Sequence, residues 1–126
     1  MDTAILVDEL DKNAVELIKI LDEKNFVFTI AALMRNEDAE DWRLVLGIPG
    51  IRTKGSRDSL TQINNIIEEK KLRISLYDLI LVDDQDRLFT LLRGKVGVRP
   101  KISPLKITGN YFDGTRFPDS IIYVVR

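Results

Sequence analysis

Residues 26–48 read FVFTIAALMRNEDAEDWRLVLGI, and this stretch decides the fold. Two runs of β composition, residues 26–35 and 41–48, flank a polar turn at residues 36–40. In the second run Trp42, Leu44, Leu46 and Ile48 alternate with other residue types, as in a strand with one buried face. The pattern predicts an antiparallel hairpin. Because both faces of the first run are apolar, that strand lies centrally in the sheet, or a helix covers one face and a partner the other.

Two amphipathic helices are predicted on either side of this hairpin. Residues 3–24 place Leu6, Leu10, Ala14, Leu17 and Leu21 at steps of three and four. Residues 59–71 repeat the pattern with Leu60, Ile63, Ile66 and Ile67. Ser59 and Gln62 have the spacing of a capping box at the start of this second helix.

The remaining segments complete a mixed pattern of helices and strands. Residues 47–58 are glycine-rich and predict a loop, and residues 78–83 (DLILVD) predict a short buried strand. A short helix is expected over residues 85–93, with Leu88, Leu91 and Leu92 inward, then an extended or looping segment at residues 94–106. Residues 119–126 predict a last strand.

The element order is therefore α-β-β-α-β-α-β. The hairpin at the start of the sheet argues against a purely parallel doubly wound fold. We expect one α+β domain over residues 1–126, with four to five mainly antiparallel strands and the two longer helices on one face.

Composition excludes several kinds of chemistry. The 126 residues contain no histidine and no cysteine, which removes histidine general bases, thiol nucleophiles, disulfides and the usual zinc sites. The net charge of -1 gives no overall field that attracts nucleic acid. No apolar run approaches the roughly 20 residues of a membrane span, and the start of the chain lacks the basic region of a signal peptide. We expect a cytoplasmic protein that needs no cofactor and does not contact a membrane.

The first candidate site is an anion site in the loop before the second helix. Arg52, Lys54 and Arg57 are close to the expected helix start, where free N–H groups favour a phosphate or another anion. Gly50, Gly55 and Ser56 have a spacing like that of a P-loop, but Lys54 precedes the second glycine instead of following it. A nucleotide-triphosphate loop is therefore excluded, and the alternative is an ordinary solvated loop.

A second candidate is acidic. Asp83, Asp84 and Asp86 follow a buried strand, and carboxylates at a strand end are ligands that Mg²⁺ prefers. Such a site predicts a Mg²⁺-dependent phosphodiesterase or nuclease. The alternative is structural, because aspartates in this position are also good turn and N-cap residues.

A third candidate is a local basic patch in residues 87–106. This segment is rich in glycine and proline and contains no acidic residue after residue 87, so it suits phosphate contacts or an acidic partner protein. No aromatic residue for base stacking is interleaved with the basic residues in residues 93–106. The patch consists of Arg87, Arg93, Lys95, Arg99, Lys101 and Lys106.

The leading hypothesis is a non-catalytic protein-interaction or regulatory module, with a protein partner or a second copy of the chain covering an apolar sheet face. Nucleic-acid binding through residues 87–106 is the first alternative. The Mg²⁺-dependent enzyme at residues 83–86 is the second, and we expect no enzymatic activity.

Overall fold

The computed structural model describes residues 3–36, 41–109, 111–112 and 114–126, so most of the predicted polar turn at residues 36–40 lies outside the described residues. A 3-10 turn at Leu76–Asp78 precedes the third strand. The helices are α1 (Thr3–Glu23), α2 (Ile51–Lys54), α3 (Arg57–Lys70) and α4 (Arg87–Val96). The strands are β1 (Ile30–Asn36), β2 (Asp41–Ile48), β3 (Leu79–Asp83), β4 (Leu105–Ile107), β5 (Tyr111–Phe112), β6 (Thr115–Arg116) and β7 (Ser120–Val125).

Five strands form one sheet in the order β3-β2-β1-β7-β4, and β5 pairs with β6 separately. The predicted hairpin is confirmed, because β1 and β2 pair antiparallel from Ile30 opposite Gly47 to Asn36 opposite Asp41. The β1–β7 and β4–β7 pairs are also antiparallel, but β2 and β3 are parallel. The sheet is therefore mixed. The parallel pair arises because α2 and α3 carry the chain back to the end of the sheet at which β2 began.

One face of the sheet packs against α1 and α3. Buried side chains from α1 and α3 meet those of β1, β2 and β7 there, and the half-buried Trp42 packs against them. This arrangement confirms the α+β class and the placement of the two longer helices on one face. Among the helical residues in this core are Ala14, Leu17, Ile18, Leu21, Ile63, Ile66 and Ile67.

A β-bulge adjusts the last strand to this core. Ala31 lies opposite Val124, whereas the next residue, Ala32, lies opposite Ile122. Tyr123 is the extra residue. Both it and Val124 lie in the core between the sheet and the helices α1 and α3, which is called the first core below. The bulge thus lets two consecutive residues of β7 face α1 and α3.

The second face of the sheet packs against α4. Phe89 and Leu92 are buried on Ile30, Val125 and other residues of this face. Gly47 permits the close approach, because a Cβ atom at this position would lie 3.0 Å from Phe89 Cε2. Most of the second apolar face therefore finds its cover within the chain, and a partner is not required to bury it as a whole.

Several boundaries differ from the predictions. Residues 51–54 form α2 inside the predicted loop, and the predicted loop at residues 94–106 contains the end of α4 and the first two residues of β4. The helix α3 begins at Arg57 with Ser56 as its N-cap, so the predicted capping box of Ser59 and Gln62 is wrong.

The inward residues of α4 also differ. Leu92 is buried as predicted, but Leu88 and Leu91 are half-buried and Phe89 occupies the core position. The register of a ten-residue helix is weakly determined by three leucines when a phenylalanine lies between them.

Candidate functional site

An apolar groove of about 300 Å³ lies on the second face of the sheet, beside α4. The helix covers the cross-strand row of Ile30, Gly47 and Val82, since Phe89 stacks on Gly47. It leaves the neighbouring row, which includes Val45 and Ile80, with less cover. The groove is lined by Met34, Arg35, Arg43, Val45, Ile80, Val82, Asp86, Leu88 and Phe89.

The groove has a buried floor and half-buried walls. Met34 and Val45 are less than a tenth exposed, whereas Ile80, Val82 and Leu88 are of intermediate exposure. A groove of this kind accepts apolar side chains, since binding removes further apolar surface from water. This geometry is suited to holding a partner.

A cation and an aromatic ring mark the end of the groove away from α4. The Arg43 guanidinium lies 4.6 Å from the ring centroid of Tyr77, which is 71% exposed, and its Nη2 is 3.3 Å from Asp41 Oδ2. Arg43 Nε and Asp41 Oδ1 are both buried without a hydrogen-bond partner. The stacked arginine gives this end of the groove a flat surface that combines aromatic and cationic character.

The carboxylate in the lining of the groove has a structural partner. Asp86 is the one carboxylate among the lining residues, and its Oδ1 accepts a hydrogen bond of 3.0 Å from the Leu88 N–H at the start of α4. The carboxylate is therefore engaged as a helix cap.

Strand β3 forms one edge of the sheet and also walls the groove. The Leu79 N–H donates to the Leu76 carbonyl, and the Asp83 carbonyl accepts from the Asp86 N–H. Both bonds lie outside the ladder with β2. The backbone N–H and C=O groups of residues 79, 81 and 83 therefore point away from β2, toward the open edge of the sheet. Among the described residues, nothing accepts from or donates to the Leu81 backbone on this outer side.

The three aspartates of the predicted metal site have structural partners. Asp83 Oδ1 accepts from the Gln85 N–H at 2.9 Å, Asp84 Oδ1 lies 3.5 Å from Gln85 Nε2, and Asp86 caps α4. Within the part of the chain that the structure describes, no three acidic side chains are grouped so as to hold a metal ion. The arrangement favours the turn and cap alternative.

The predicted basic patch is divided among different surroundings. Arg93 is half-buried and donates to Asp84 O at 3.0 Å, Thr29 Oγ1 at 3.3 Å and Arg126 O at 3.3 Å. Arg99 donates from Nη1 to the carbonyl and hydroxyl oxygens of Ser103 at 2.8 and 2.9 Å. These two side chains hold segments of the protein together.

The other basic residues of the patch do not converge. Arg87 and Lys95 are about 12 Å apart along α4. Lys106 lies opposite Ile121, a residue of the first core, so it is on the α1 side of the sheet. Lys101 lines a separate hollow of about 360 Å³ together with Arg99.

The predicted anion site is also only partly assembled. Arg52, Lys54 and Arg57 are all exposed, but Lys54 alone lines the neighbouring hollow of about 430 Å³. Asp58, in the first turn of α3, lines the same hollow. The carboxylate offsets the positive charge at the place where an anion was predicted.

Among the described residues, one titratable group has a strongly perturbed pKa, and it lies away from the groove in the first core. Burial of Tyr123 raises the pKa of its hydroxyl well above the ordinary value, and the hydrogen bond that it donates to Asp11 Oδ1 raises the pKa further. The Tyr123 side chain is fully buried, so this bond joins β7 to α1 and has a structural role.

Sequence reasoning missed the groove. The sequence did contain a signal for it, since residues 79–82 are all apolar and both faces of β3 are therefore apolar. Ile80 and Val82 face the groove, while Leu79 and Leu81 face the first core. Tyr77 and Arg43 are far apart in sequence, so nothing in the sequence pattern brings them together.

None of the comparisons with known proteins finds a match, whether with family models, curated sequences or solved structures. Within the described residues, none of the helices has the combination of length and apolar character that a bilayer crossing needs.

Proposed function

We propose that this protein is a non-catalytic protein-interaction module that binds its partner through the groove beside β3. One observation carries the proposal. An apolar groove of about 300 Å³ remains on a sheet face that α4 otherwise covers, and it lies next to an unpaired strand edge. Apolar grooves with a few polar groups at the rim are the usual form of a binding site.

The rim gives the groove a means of selecting its partner. Tyr77 is largely exposed and Arg43 stacks on it, and aromatic and arginine side chains are enriched among the residues that dominate binding energies. The half-buried Ile80, Val82 and Leu88 become fully buried when a partner is bound.

The two alternative functions have less support from the arrangement of their residues. Nucleic-acid binding needs a continuous basic surface, but Arg93 and Arg99 hold other segments and Lys106 lies on the opposite side of the sheet. The Mg²⁺-dependent enzyme needs converging carboxylates, but Asp83 and Asp86 are engaged in a turn and a cap.

The test is an affinity capture from a nuclease-treated lysate of the cells that make the protein, with three matched baits. The baits are the unaltered protein, Leu88→Lys at the groove and Val98→Lys as a control, since Val98 is 72% exposed and lies outside the groove. Mass spectrometry identifies the captured proteins, and a thermal melt of each bait verifies that it is folded.

We expect proteins that bind the unaltered protein and Val98→Lys but not Leu88→Lys. If Leu88→Lys does not fold, Ile80→Thr takes its place, because it reduces the apolar wall of the groove without adding charge. The same captured proteins with all three folded baits, or none with any, would contradict the proposal.

A further inference from the structure

The outer side of β3 is suited to an extended chain. Leu81 presents an unpaired N–H and an unpaired carbonyl there, while Leu79 adds a carbonyl and Asp83 an N–H on the same side. A strand that lies antiparallel to β3 can bond all four groups, which is the pattern by which a sheet edge recruits another strand.

Charge argues against a second copy of the protein as that strand. Asp78 and Asp84 flank β3, in the 3-10 turn before it and in the turn after it, so two β3 strands related by a two-fold axis at Leu81 bring Asp78 of one copy near Asp84 of the other, and the same pair occurs again by symmetry. Like charges directly opposite each other destabilise a strand pair. Acidic residues at both ends of an edge strand are also a common protection against self-association.

The same charges select a different partner. We infer that β3 binds an extended segment of another protein that has a lysine or arginine beside Asp78 and another beside Asp84, the two acids that flank the strand. Asp78 Oδ2 accepts hydrogen bonds from the N–H and hydroxyl of Ser75 at 2.9 and 3.3 Å, so Oδ1 is the oxygen offered to the partner. This inference rests on the proposed function and adds the chemistry of the partner. The two basic residues are six positions apart, since the acids lie three residues on either side of Leu81.

The groove determines the residues between the two basic positions. Ile80 and Val82 face the groove, so the partner residues opposite them are on the same face of the extended sheet. Apolar side chains at those two positions pack beside Ile80 and Val82 and close the open side of the groove. The partner sequence is therefore basic, any, apolar, any, apolar, any, basic.

Two synthetic peptides with blocked ends test this inference on the full-length protein. The first is Lys-Thr-Val-Thr-Val-Thr-Lys, and the second replaces both lysines with glutamates. Binding is measured by titration of the ¹⁵N-labelled protein, followed at the amide signals of Ile80, Leu81 and Val82. At low salt we expect the lysine peptide to bind about tenfold more tightly, because two opposite-charge pairs replace two like-charge pairs.

Backbone methylation separates strand pairing from a purely electrostatic contact. The central threonine lies opposite Leu81 and exchanges both of its hydrogen bonds with it, whereas the first valine directs its N–H away from β3. Methylation of the central threonine nitrogen is expected to abolish binding, and methylation of the first valine nitrogen to leave it within about twofold. Equal losses with the two methylated peptides would overturn the inference.

A charge reversal in the protein gives an independent test. Asp84→Lys reverses the preference at one end of the strand, so the two ends offset each other and the tenfold difference between the peptides is expected to disappear. Glu23→Lys carries the same charge change at an exposed residue of α1 and is expected to leave the difference unaltered.

The results also distinguish this inference from the proposed function. Absence of binding by either peptide, or tighter binding of the glutamate peptide, overturns the inference. If the Leu88→Lys bait still loses its captured proteins in that case, the groove binds a partner of another kind and the proposed function stands. If that bait loses none, both fail.

Discussion

The contact between Gly47 and Phe89 gives the sharpest test of how α4 is positioned on the sheet. An alanine Cβ at position 47 would lie 3.0 Å from Phe89 Cε2 and 3.3 Å from both Phe89 Cδ2 and Ile30 Cβ. Since Phe89 is 1% exposed and Ile30 is fully buried, neither side chain has free space to move into. Gly47→Ala therefore overpacks the core between α4 and the sheet.

The magnitude follows from two opposing terms. Overpacking a dense core costs about 1–3 kcal/mol, while replacing glycine with alanine recovers about 0.4–1 kcal/mol by restricting the unfolded chain. We expect Gly47→Ala to lower the free energy of unfolding by about 1–2 kcal/mol. For a chain of this size, that lowers the melting temperature by roughly 4–8 °C.

Gly94 provides the matched control. It lies within α4, and a Cβ atom there would meet nothing within 4 Å. Gly94→Ala is expected to raise the free energy of unfolding by about 0.5–1 kcal/mol, through helix propensity and the unfolded-state term. Both variants are measured by urea unfolding and by calorimetry.

A double-mutant cycle then assigns the loss to the contact itself. Phe89→Leu shortens the side chain that the new methyl group would meet, so the losses from Gly47→Ala and Phe89→Leu are expected to sum to more than the loss in the double variant, by at least about 0.5 kcal/mol. A Gly47→Ala variant as stable as the unaltered protein, or strictly additive losses, would refute the reasoning.

Three further predictions concern side chains outside the groove or at its rim. Because the pKa of Tyr123 is raised in the folded state, the unfolded state loses its proton first as the pH passes 10, so stability that is complete below pH 10 is lost as the pH rises. Between pH 9 and pH 11, urea unfolding should show a total loss about 1.4 kcal/mol larger than in Tyr123→Phe. Arg93→Ala removes three hydrogen bonds and should lower the free energy of unfolding by about 2 kcal/mol. The control is Arg87→Ala at an exposed residue of the same helix, which should change the free energy of unfolding by less than about 0.5 kcal/mol. Equal effects of the two substitutions would contradict the structural role of Arg93. Asp86→Ala should lower the free energy of unfolding by about 1 kcal/mol, because α4 loses its N-cap. The melting temperatures of the unaltered protein and of the variant should each be the same with and without Mg²⁺. Stabilisation by Mg²⁺ of the unaltered protein alone would support the metal hypothesis instead.

Periodicity in the sequence predicts the elements that bury one regular face. The hairpin and the two longer helices follow from alternation and from steps of three and four. Their ranges are close to those predicted, except that β1 begins at Ile30 and not at residue 26. The direction of β3 relative to β2 was not predictable in this way, since it depends on where α2 and α3 return the chain.

The candidate site was less predictable than the fold, for two physical reasons. The groove depends on a contact between Gly47 and Phe89, which are far apart in sequence and fix how much of the sheet α4 covers. The basic patch was defined by closeness in sequence, but strand alternation directs Lys106 to the side of the sheet opposite α4. The sequence therefore identified the basic residues but did not predict which face of the sheet each side chain lies on.

The position of β7 in the sheet has a consequence for folding. This strand follows all the others in the chain, yet it lies between β1 and β4, so the sheet closes only when residue 125 reaches residue 30. Pairing across such a separation is slow, because the loop-closure entropy is lost before the contacts form. A nascent or truncated chain that stops before residue 120 leaves β1 with an unpaired edge lined by apolar residues and β4 without its neighbour. Such chains are expected to aggregate and to depend on chaperones until β7 is available.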